Sequence, residues 1–95
     1  MKTTEIERAN LNLTESEKES VAAIIELFII TRELDDADML TLFRLYKSKV
    51  NGDNDLSYTC SSCRTACREF FLQWFKYYVG EKVYFSLLQE NRNIY

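Results

Sequence analysis

The segment CSSCRTACREFFLQWFKYY, residues 60 to 78, places Cys60, Cys63 and Cys67 three and four residues apart at the head of the most aromatic run of the chain. Thiols so spaced suit two chemistries. Thiolates ligate zinc, and a C-x2-C knuckle plus a third cysteine supplies three of the four ligands a tetrahedral site takes. The chain holds no histidine and no further cysteine, so Asp53, Asp55 or a second chain would have to give the fourth. Alternatively, a thiol near a helix N-terminus and beside Arg64 has its pKa lowered by dipole and cation and becomes reactive. A third reading involves no chemistry. On a helix, Cys60, Cys63, Cys67, Phe70, Trp74 and Tyr77 follow one another at intervals of 3, 4, 3, 4 and 3, the period of an apolar seam. Phe71, Phe75 and Tyr78 widen it, while Ser61, Thr65, Arg68, Glu69, Gln73 and Lys76 fall on the other side. Cysteine packs as a small hydrophobe, so core packing is preferred over a metal site, and a metal site over a redox thiol. No metal and no cofactor is assigned.

Absent residue types narrow the function classes further. Without histidine the commonest general base and the Ser-His and Cys-His nucleophile pairs are missing. With no proline and two glycines there is no Gly-rich phosphate loop. NGDNDLSYT, from Asn51, is rich in oxygen donors, yet an EF-hand wants Gly at its sixth position and Glu at its twelfth, where this chain has Leu56 and Ser62. A turn is the better reading. The expected protein is not an enzyme and has no small-molecule substrate.

Ninety-five residues make one small domain, and 46% hydrophobic with 14% aromatic content is too much for a disordered chain. The net charge of −3 hides an asymmetry: residues 1 to 38 carry four Lys/Arg against ten Asp/Glu, and residues 39 to 95 carry eight against five. An acidic chain without a basic run gains little from counterion release, so nucleic acid is the less favoured partner. Its contacts would be Arg44, Lys47, Arg64, Arg68 and Lys76. Thirteen aromatic residues exceed what a three-helix bundle readily hides, which favours a protein partner or self-association through Trp74, Phe75, Tyr78, Tyr84 and Tyr95. VAAIIELFII, residues 21 to 30, is too short to span a bilayer, no secretory signal precedes it, and a reducing cytosol is the expected compartment.

The elements that must position these residues are helical. Residues 1 to 13 lack a sustained period and read as an arm. TESE, residues 14 to 17, has the form of a capping box, and Val21, Ile24, Ile25, Phe28 and Ile29 continue at helical spacing. Leu27, Ile30 and Leu34 add a second apolar strip, which predicts a central or interfacial helix buried on more than one side. Asp35 or Asp36 caps a second helix with a stripe of Met39, Leu42, Phe43, Tyr46 and Val50, stopped by Asn51-Gly52 in a positive-φ turn. A third helix is predicted from Ser57 or Thr59 to Val79, with Gly80 as its stop. Residues 81 to 95 read as an arm or a short helix. The expectation is an all-α bundle of three main helices spanning residues 14 to 80, with an arm at each end.

LFRLYKSKVNGDNDLSYTCSSC, residues 42 to 63, joins an aromatic helix ending in Asn-Gly to Cys-Ser-x-Cys at the head of another. It resembles short Cys-x-x-Cys-containing helical proteins encoded by tailed, crAss-like bacteriophages of gut bacteria. The match covers about a quarter of the chain and departs from the family's pattern at Lys47, where that pattern carries Asn. The resemblance implies a phage-encoded protein, located in the virion or host cytoplasm. It implies a small structural or head-assembly accessory protein, with DNA packaging or inhibition of a host protein as alternatives, and transfers no catalytic residue.

Overall fold

The computed structural model describes residues 3–52 and 56–92. Within them the chain forms α1 (Thr3–Asn12), α2 (Glu15–Thr31), α3 (Asp36–Leu45), a π-helical segment (Tyr46–Val50), α4 (Ser61–Val79) and α5 (Glu81–Arg92). No strand occurs among the described residues, so the all-α class holds. Three main helices with two arms is too few: there are five α-helices among the described residues.

The segment read as the first arm is α1. Ile6, Ala9 and Leu13 sit three and four residues apart and are all buried. Its middle member is alanine, which contributes little hydrophobicity, and the residues between are polar. A stripe that weak does not stand out in a local window, and packing against α4 and the π segment stabilises it.

At three helix ends the chain behaves as its sequence predicts. Thr14 and Glu17 form the reciprocal capping box: the Thr14 N–H donates to Glu17 Oε1 at 2.8 Å and the Glu17 N–H to Thr14 Oγ1 at 3.1 Å. Asp35 caps α3, accepting from the Asp38 N–H at 2.8 Å. Gly80 ends α4 at φ 93°, a conformation that disfavours any residue with a Cβ. Residues 81–92, the segment left between arm and helix, form a helix with Tyr84, Leu87 and Leu88 turned toward the core.

Three expectations need correcting. α2 is buried on one side only, through Val21, Ile25 and Ile29, and Leu27 and Ile30 face outward. The central helix is instead α4, which touches α1, α2, α3 and α5. The stretch expected as the end of a regular second helix widens into π turns over its last five residues. There the Asn51 N–H reaches the Tyr46 carbonyl at 2.8 Å, and Asn12 Nδ2 of the distant α1 donates to the Lys49 carbonyl at 3.0 Å. Gly52 is not in a positive-φ turn, because Asn51 has already left the helix with φ −136°.

The core is a ladder of rings on α4. Phe70, Phe71, Trp74 and Phe75 are buried with Cys67, and Phe70–Phe71 and Phe71–Trp74 meet edge to face at 5.5 and 6.5 Å between centroids. Trp74 Nε1 donates to Asn10 Oδ1 at 3.1 Å, tying α4 to α1.

Asn10→Ala leaves that indole N–H without its partner and is expected to cost about 1–3 kcal/mol in urea unfolding. Thr14→Ala is expected to cost about 1 kcal/mol near neutral pH. The Glu17 carboxyl is held below its ordinary value of 4.5, first by the Thr14 backbone N–H; burial opposes this, and the Lys49 charge adds a smaller lowering. A depressed carboxyl stabilises the fold above its unfolded pKa and loses that contribution as pH falls through the folded one. Glu17→Gln should therefore lose stability near neutral pH, and that deficit should shrink when unfolding is repeated at about pH 3.

Candidate functional site

The three cysteines occupy three different environments. Cys60 lies outside the helix as the N-cap of α4, with φ −80° and ψ 115°. Its Sγ accepts from the Cys63 N–H at 3.4 Å and lies 3.1 Å from Ser62 Oγ, and the Cys63 side chain hydrogen-bonds to it as well. These donors favour the thiolate, the Cys63 side chain most and then Ser62, and hold the Cys60 thiol down to about 7. Cys63, at the third helical position, is half-buried. Cys67, one turn further, is enclosed, and burial pushes its thiol up to about 12 despite the neighbouring Arg68 charge.

The apolar seam is therefore shorter than its spacing predicts. It runs through Cys67, Phe70, Phe71, Trp74 and Phe75, leaving Cys60 as a cap and Tyr77 exposed at its edge. Among the described residues no three His, Cys, Asp or Glu side chains converge on a position able to hold a metal ion. Asp53 and Asp55 lie outside the described residues.

Most of the basic residues singled out as nucleic-acid contacts are engaged internally. Arg64 donates to the Tyr58 carbonyl and lies over the Tyr58 ring at 5.5 Å. Arg68 lies over Phe28 at 5.7 Å. Lys76 sits over Phe85 at 5.1 Å with Glu81 at 3.9 Å, and Lys47 Nζ donates to the Leu56 carbonyl at 3.2 Å. Arg44 is exposed on α3, where it borders a groove shared with Glu17 of α2.

The aromatic partner contacts divide in the same way. Trp74 and Phe75 are core residues, 0% and 2% exposed, so they are not surface contacts of this fold; the seam spacing that placed them on one face also buried them. Tyr78 is 41% exposed and stacks on the Trp74 ring at 4.8 Å. Tyr84 is half-buried, its ring edge to face with Phe75 at 6.4 Å. Tyr95 lies outside the described residues.

The second apolar strip of α2, which the sequence places at Leu27 and Ile30, faces outward. Ser16, Ser20, Ala23, Leu27 and Ile30 recur at intervals of 4, 3, 4 and 3 and all face outward, with Leu27 52% exposed. α5 packs against α2 and adds exposed Val83 and Phe85. Next to Leu27, a groove lined by Thr31, Leu34, Glu33, Asp35 and Asp38 gives the strip an acidic end. A polar cleft of about 190 Å³ lies between α1 and the π segment, bordered by Arg8 and Lys49, below the volume usual for ligand pockets. No helix among the described residues is long and apolar enough to cross a membrane.

Alkylation of the native protein by iodoacetamide should label Cys60 with a midpoint near pH 7 and spare Cys67 until the chain is unfolded, as peptide mapping across a pH series would show. No protein-family model, curated protein or solved structure matches this chain.

Proposed function

We propose that this protein is a non-enzymatic protein-interaction module that binds through the outer face of α2 and the adjoining surface of α5. The observation that carries this reading is the exposed apolar pair Leu27 and Ile30 on the outer face of α2, beside α5 with its exposed Val83 and Phe85. An exposed apolar patch on a helix is one form in which it offers itself to a partner helix. Glu19 and Glu26 flank it on its exposed side, and the groove at its end is rimmed by Glu33, Asp35 and Asp38. A second copy laid on the same strip would bring like charges together, so the charge pattern favours a partner helix with basic flanks.

The assignment of that partner to a phage particle, with this protein as a small structural or accessory subunit, rests on the sequence resemblance alone. A nucleic-acid partner is less well supported. Arg64, Arg68, Lys47 and Lys76 would have to give up internal contacts to reach phosphates.

The test is uptake of the tagged protein into particles from an infected lysate, with Leu27→Glu as the surface variant. That variant should change stability by no more than about 0.5 kcal/mol, as exposed substitutions do, and should lose co-sedimentation with the particle. A wild-type chain that stays monomeric and enters no particle or complex would remove the reading, and salt-sensitive DNA binding by fluorescence anisotropy would replace it.

A further inference from the structure

We infer that Cys60 and Cys63 form a dithiol that exchanges with low-molecular-weight disulfides, Cys60 attacking and Cys63 resolving. The inference stands on the geometry at the head of α4 and is independent of the proposed interaction surface.

The two residues sit at the N-cap and the third position of one helical turn, and the Cys60 sulfur is turned back onto the Cys63 backbone. Its Sγ is 3.4 Å from the Cys63 amide nitrogen. The first sulfur thus lies against the residue that carries the second thiol, within the one turn an attacking and a resolving thiol must share. The Cys63 N–H donates to this sulfur and the Ser62 hydroxyl lies 3.1 Å from it, and hydrogen bonds from residues 63 and 62 favour its thiolate. Arg64, the nearest cation along the helix, is turned onto Tyr58 and its carbonyl, so hydrogen bonds account for the activation. Cys60 is only partly covered, which leaves a small disulfide room to approach. Cys67 is one turn further in and fully buried, so it does not compete.

With glutathione disulfide as the oxidant, the Cys60 thiolate attacks one of its sulfurs. The glutathione S–S bond breaks, a mixed disulfide forms on Cys60, and one glutathione thiolate leaves and takes a proton from water. Cys63 then loses its proton to solvent and attacks Cys60 Sγ. That step breaks the mixed disulfide, forms the Cys60–Cys63 bond and releases the second glutathione. The dithiol gives up two electrons and two protons, and one disulfide becomes two thiols. Residues three apart on a helical turn are close enough for such a bridge once the side chains rotate.

The test incubates the reduced full chain with glutathione disulfide and follows intact mass and peptide maps. The wild type should lose two hydrogens and yield a Cys60–Cys63 cross-linked peptide, with Cys67 alkylated only after unfolding. Cys63→Ser should stop at a stable mixed disulfide on Cys60. Cys60→Ser keeps a good N-cap residue, so its circular dichroism should match wild type while the rate of exchange falls by at least about tenfold. The inference is overturned if the wild type does not react, if it stops at the mixed disulfide, if Cys67 is modified first, or if folded Cys60→Ser reacts as fast as wild type.

Discussion

Trp74 brings the largest side chain of the chain into the core together with one polar atom that must find a partner, and the partner it finds is Asn10, far away in sequence. Burying a ring of this size stabilises by about 2–3 kcal/mol, while an unpaired indole N–H in the same place would offset about 1–3 of it. The two requirements together fix how α1 lies on α4. Phe70, Phe71 and Phe75 extend the buried face along the helix, and α2, α3 and α5 each cover part of it. A central aromatic helix that needs covering explains why a chain of this size is divided into short helices around one long one.

The parts of the fold legible in the sequence are those decided within a few residues. A threonine and a glutamate three apart cap each other whatever else the chain does, an aspartate at the head of a helix takes the free N–H groups, and a glycine accepts a left-handed dihedral. Features set by distant partners were not legible. α1 depends on α4 for its burial, and the π segment presents its Lys49 carbonyl to Asn12 of α1. The outward turn of Leu27 and Ile30 on α2 was open for another reason: apolar residues at helical spacing look the same whether the neighbour that covers them belongs to the same chain or to another.

At the cysteines, the difference between seam and site came down to where the helix starts. A start at Ser57 or Thr59 puts Cys60 inside the helix as one more member of the apolar row. The start at Ser61 makes it the cap, with its sulfur turned back onto the first turn. Two or four residues of boundary thus separate an inert packing residue from an activated thiol, and local periodicity does not fix a boundary that finely. Cys67 is where the packing reading was right, because it lies too far along the helix for such a shift to matter.

The hydrogen bond between Asn10 and Trp74 closes a loop of 64 residues. On a ribosome, α1 is made long before the helix that will cover it, and it must wait in water through the synthesis of α2, α3 and the π segment. A strongly apolar stripe exposed for that interval would invite association with other nascent chains. Ile6, Ala9 and Leu13 are a weak stripe, with an alanine where a leucine would have bound more tightly. The faintness that hides α1 from a reading of the sequence is also what makes its long wait harmless.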